Sequence, residues 1–88
     1  MTGVSDDLDW RRLGKYVQDR RTQLVMTQPA VQAAGGPAVA TIRLIETAGR
    51  TTGYRGSLMR KLEVALRWHR GSVDAILRRR APTDHGSR

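Results

Sequence analysis

The chain of 88 residues contains no cysteine and no phenylalanine. Without thiols there is no disulfide frame, no thiolate metal site and no cysteine nucleophile. This usage fits a reducing compartment, and a cytoplasmic location is expected. Aromatic residues make up 5% of the chain, too few for the stacking platforms that hold single-stranded nucleic acid. No apolar run approaches the roughly 18 residues of a membrane span. The opening stretch MTGVSDDLDW has neither the basic nor the apolar segment of a signal peptide, so no membrane association is expected. His69 and His85 lack partners at metal-ligand spacing, and no serine has a base at plausible spacing. No enzyme activity, metal or cofactor is expected.

Acidic residues are also scarce. Eight carboxylates face 16 Lys and Arg, a formal net charge of +8. Asp6, Asp7 and Asp9 crowd the start, so all 16 basic residues but only five acids follow Asp9, a local charge of +11. Lys15 and Lys61 are the only lysines, which leaves 14 arginines. The planar guanidinium suits phosphates and guanine edges. Such a charge bears on partners rather than on fold, and it points to nucleic acid. A hydrophobic content of 39% is too high for a simple disordered basic tail.

What is present is helical periodicity. Trp10, Leu13, Val17 and Leu24, with Tyr16 beside them, give an apolar face over 9–23, and Asp9 is placed to cap that helix. Thr27 is a second cap. Pro29 in the first turn and Gly35-Gly36 at the end bound a short helix over 28–34. A third helix follows over 38–47 with Ile42 and Ile45 inward. Residues Ala48 to Gly56, with three glycines and two arginines, read as a loop. Ser57 is expected to cap a fourth helix ending near Trp68, with Leu58, Leu62, Ala65 and Leu66 inward. Ser72 is expected to cap a fifth, with Val73, Ile76 and Leu77 inward and Asp74 near its positive end. Trp10 and Trp68 are expected as anchors in or beside the core. No strand pattern is present. The expected architecture is all-α with five helices: an acidic leader over 1–8, a domain over 9–77 and a basic tail over 78–88.

Two short helices joined by a glycine turn, residues 27–47, form a helix-turn-helix pattern. Its residues carry a family resemblance. The run Arg21-x5-Thr27-Gln28-x2-Val31, followed by Gly36-x4-Thr41-Ile42-x2-Ile45-Glu46, resembles the Xre/Cro family of phage and bacterial repressors. The likeness continues through Leu62-x2-Ala65-Leu66 and Gly71-Ser72-Val73-Asp74-x-Ile76-Leu77, and spans residues 12–77. The wording GGPAVATIRLIE and WHRGSV resembles actinobacterial and actinophage members. The resemblance implies a lambda-repressor-like five-helix fold that binds double-stranded DNA as a homodimer, with the fifth helix helping to build the dimer. It implies that Gln28 contacts a phosphate or a base edge and that Arg21 pairs with Glu46. It places Ala38, Val39, Ala40 and Leu44 where bases are read. Arg50 and Arg55 fall in a loop that lines the DNA backbone.

The sequence departs from that pattern at the reading positions. Ala38, Val39, Ala40 and Leu44 are all apolar, and only Gln28, Thr41 and Arg43 offer polar atoms nearby. Apolar side chains touch thymine methyls but make no bidentate hydrogen bond. Specificity then rests on methyl contacts, DNA shape and backbone register, or the chain reads DNA poorly and does something else. Gln32 stands where the family has a small alanine packed inside. The leading expectation is a transcriptional repressor acting by promoter occlusion. The alternative is a protein-interaction module on the same scaffold, such as an antitoxin or a phage protein that binds a host protein. A non-specific nucleoid-type binder is a third.

Overall fold

The computed structural model describes residues 8–49 and 54–78. Their helices are α1 (Trp10–Gln23), α2 (Gln28–Ala33), α3 (Val39–Thr47), α4 (Gly56–Ala65) and α5 (Ser72–Leu77). No strand occurs among the described residues, and no helix there is long and apolar enough to cross a membrane. Arg50, the leader up to Asp7 and the tail from Arg79 onward lie outside the described residues.

The first two helices begin by local capping. The Asp9 carboxylate accepts from the Arg12 N–H at 3.0 Å, and the Thr27 hydroxyl accepts from the Ala30 N–H at 3.1 Å. Each satisfies an orphan donor of the first turn, which is why short polar side chains favour this place. The later helices begin differently, and two sequence expectations are corrected. α4 starts at Gly56, one residue ahead of Ser57, and its N-cap is Arg55, which makes no side-chain cap. α5 starts at Ser72 itself, which is buried, and its N-cap is Gly71 at φ +92°. Its free N–H groups are met from another helix instead. The Glu63 carboxylate of α4 accepts from Gly71 N and Val73 N, both at 3.0 Å.

Four helices end in one way. After α1, Val25 N donates to Thr22 O and Met26 N to Arg21 O. After α2, Gly35 N donates to Gln32 O and Gly36 N to Val31 O. The same pair of bonds follows α3 at Ala48 and Gly49, and follows α4 at Arg67 and Trp68. This Schellman closure needs a left-handed residue just past the helix, a place that favours glycine. Only α2 supplies one, Gly35; the others use Val25, Ala48 and Arg67 at φ +56°, +54° and +59°. α4 therefore ends at Ala65, short of Trp68 where the sequence pattern placed its end.

Val25 is the costliest of these, because a β-branched side chain in the left-handed region is strained. It is 90% exposed and so has little packing to lose. Relief of about 1–2 kcal/mol outweighs the roughly 0.5–1 kcal/mol of extra unfolded-state entropy that glycine brings. Val25→Gly is expected to raise the melting temperature by a few degrees. A fall on thermal unfolding would mean that this turn is not left-handed.

The core takes at least one side chain from every helix: Leu13 and Val17 of α1, Val31 of α2, Ile42 and Ile45 of α3, Leu62 of α4, and Val73 and Ile76 of α5, with Leu66 and Trp68 from the α4–α5 connection. α1 packs on α3 and α5, α2 on α3 and α4, and α4 on α5. Trp10 lies at the edge of the core against Tyr54, ring centroids 5.4 Å apart. Leu8, assigned to the leader by composition, packs against the same core, and Asp9 N donates to Leu77 O at 2.9 Å. The approach of α1 to α3 is very close. A Cβ built on buried Gly14 would lie 2.5 Å from Ile45 O and 2.7 Å from Glu46 O. Gly36 is a second such place, where a Cβ would meet Val31 O at 2.7 Å.

Candidate nucleic-acid interface

The α2–α3 pair is fixed by a polar knot at the end of α1. Arg21 donates from Nε to Glu46 Oε2 at 2.8 Å, from Nη2 to Glu46 Oε1 at 3.0 Å and from Nη1 to Met26 O at 3.1 Å. Gln28 adds an Nε2 donation to Glu46 Oε1 at 3.2 Å. One carboxylate thus ties α3 to α1 and to the first residue of α2. The Glu46 side chain is only 5% exposed, which separates this pair from a surface ion pair. Donation of its hydrogen bonds to Glu46 raises the Arg21 pKa above its already high ordinary value, against the opposing effect of burial. Arg21 therefore stays charged at any physiological pH. Gln28, expected at a phosphate or base, is half-buried and spends its amide N–H inside the domain.

α3 begins at Val39, with Ala38 as its N-cap rather than its first residue. Alanine has no capping atom. Gln32 of α2 supplies one, its Oε1 accepting from Val39 N at 3.0 Å. Gln32 is exposed, so the position that the resemblance reserves for a packed alanine is here a clasp between α2 and the start of α3.

With Ile42 and Ile45 directed into the core, the opposite side of α3 carries Ala40, Arg43, Leu44 and Thr47, all exposed. Their spacing of i, i+3, i+4 and i+7 makes one stripe along the helix. Ala38 is exposed just ahead of it, and Val39 and Thr41 lie half-buried at its flanks. Beside the start of α3, a cleft brings Ala38 and Thr41 together with Arg55, Ser57 and Lys61, over Pro37 and Leu58. Arg55, distant in sequence from Ala38, therefore lines the same cleft. Lys61 belongs to the same cleft and was not singled out from the sequence. It lies one turn after Ser57 on α4, a spacing that shows only once α4 is placed against α3.

Several arginines have internal work. Arg12 Nη1 donates to Ile76 O at 2.7 Å and Arg20 Nε to Leu66 O at 2.9 Å, meeting carbonyls at the ends of α5 and α4. Arg60 donates to Glu63 and Arg78 to Asp74. The basic surplus thus divides. One part holds helices together, Arg43, Arg55 and Lys61 are exposed around the start and outer side of α3, and Arg11, Lys15, Arg67 and Arg70 are exposed as well. No group of three or more metal-ligating side chains occurs among the described residues.

Taken together, the described residues form an all-α, five-helix unit with one helix presented outward beside a basic cleft. Comparison of the chain with protein-family models, with curated proteins and with solved structures finds no match.

Proposed function

We propose that the chain is a double-stranded DNA-binding regulator of the lambda-repressor-like helix-turn-helix type, resident in the cytoplasm, in which α3 enters the major groove and bound protein occludes a promoter. One observation carries this reading. The stripe Ala40, Arg43, Leu44 and Thr47 faces solvent on a helix locked by the Arg21–Glu46–Gln28 knot, beside a cleft carrying Arg55 and Lys61. A helix fits the major groove, about 12 Å wide, and cations beside it meet the phosphates. One domain of this size buries limited surface, so useful affinity calls for a homodimer on a two-fold site, half-sites about 34 Å apart.

The test is selection of bound sequences from a random duplex pool, followed by salt titration. A palindromic motif is expected, with log K falling against log salt at a slope of about −0.9 for each phosphate neutralised. A shallow slope, or no binding at low salt, favours a protein partner on the same face. Equal binding of selected and random duplex makes the chain a non-specific binder, since specific sites win by at least about 10³. Arg55→Ala is expected to weaken binding to all sequences alike and to flatten the slope by about 0.9. A change of base preference instead would place Arg55 at a base edge.

A further inference from the structure

We infer that the outer face of α3 selects DNA through the C5-methyl groups of pyrimidines, with Leu44 and Ala40 as the groups that touch them. The inference rests on the duplex-binding reading above, which supplies the occupant of this face by charge: Arg43 within the stripe and Arg55 and Lys61 beside it are exposed cations on a chain of net charge +8.

Three polar side chains beside α3 are engaged inside the domain. The Gln28 amide N–H donates to Glu46, the Gln32 carbonyl accepts from Val39 N, and the Thr47 hydroxyl donates to Arg43 O at 2.9 Å. Bidentate reading of adenine by a glutamine needs the amide oxygen and nitrogen together. In each of these two glutamines an internal bond already fixes how the amide is turned, and only the second N–H of Gln28 and the second lone pair of Gln32 stay open on the engaged atom.

What remains forward on the stripe is apolar apart from Arg43. Leu44 stays 38% exposed although the adjacent core is filled by Ile42 and Ile45. With alanine at the exposed positions 38 and 40, Leu44 is the large apolar side chain exposed on α3. In the major groove the apolar feature that distinguishes base pairs is the pyrimidine C5-methyl, carried by thymine and by 5-methylcytosine. Burying one methyl group against a side chain corresponds to about fourfold in affinity, and two methyls to about fifteenfold.

The experiment uses the full chain and three random duplex pools: one with thymine, one with deoxyuridine in its place, and one with deoxyuridine plus 5-methylcytosine in place of cytosine. A thymine-containing motif is expected from the first pool. In the second, its deoxyuridine counterpart should bind about fourfold more weakly for each methyl removed. Recovery in the third pool would show that 5-methylcytosine serves as the methyl source; no recovery would assign the contact to thymine. Leu44→Ala, at a surface position 38% exposed, is expected to leave the domain folded and to reduce the thymine-over-deoxyuridine preference by about fourfold, leaving only what Ala40 contributes. A motif of equal strength in the first two pools overturns the methyl inference and leaves the DNA reading standing. Duplex binding with no motif in any pool also overturns it. Absence of duplex binding at low salt removes both.

Discussion

Glu46→Ala is expected to lower the unfolding free energy by about 3–5 kcal/mol, the cost of removing one partner of a buried ion pair. The carboxylate accepts three hydrogen bonds, two from Arg21 and one from Gln28. Its loss leaves the Arg21 guanidinium with Met26 O as its remaining acceptor in the knot. The Arg21 side chain keeps 19% exposure, so water recovers part of the loss and the lower end of the range applies. For a domain with about 5–10 kcal/mol in hand, this is a third or more of the total. Urea unfolding followed by fluorescence of the buried Trp68 measures it. The double variant Arg21→Ala/Glu46→Ala should cost less than the sum of the two single changes, because removing both charges leaves neither stranded. Additive losses, or a single loss under about 0.5 kcal/mol, would mean that the pair behaves as an exposed one and does not set α3.

Gly14→Ala sets two opposed effects against each other. In a helix interior alanine is favoured over glycine by about 1 kcal/mol. Here the added methyl would lie 2.5 Å and 2.7 Å from the carbonyl oxygens of Ile45 and Glu46. These are backbone atoms inside α3 and cannot swing aside as a side chain would. α1 and α3 must separate by several tenths of an ångström, and overpacking of this kind costs about 1–3 kcal/mol or more. The clash prevails, and a net loss of up to about 2 kcal/mol is expected. A melting temperature raised by the substitution would show that the two helices are not in this close contact.

These two positions also show what a reader of the sequence could find. Helix existence and phase came from apolar spacing: Leu13, Val17, Ile42, Ile45, Leu62, Val73 and Ile76 are buried where periodicity placed them inward. Asp9 and Thr27 were legible as caps because their bonds are local. The start of α5 was not, since its cap Glu63 lies eight and ten residues from the groups that it meets and resembles any helix-surface glutamate in sequence. The end of α4 was misplaced because Arg67 occupies the left-handed position without the glycine that normally marks it. Gly14 gave no signal, because a glycine inside a helix reads as a weakness until the neighbouring backbone is in view. At the candidate interface, the composition of the α3 face was legible, but the internal engagement of Gln28 and Gln32 needed coordinates. Arginine surplus alone also overstated the cations turned outward, since Arg12 and Arg20 close helix ends far along the chain.

The six residues of α5 are too few to stay helical alone. Its first turn is fastened by Glu63 and its last by Arg12, so neither end belongs to it. Loss of α5 would remove two of the hydrogen bonds that Glu63 accepts and the bond that Arg12 makes to Ile76 O. Unfastening α5 is therefore expected to loosen α1 and α4 as well. Hydrogen exchange is expected to show α5 opening together with them rather than alone.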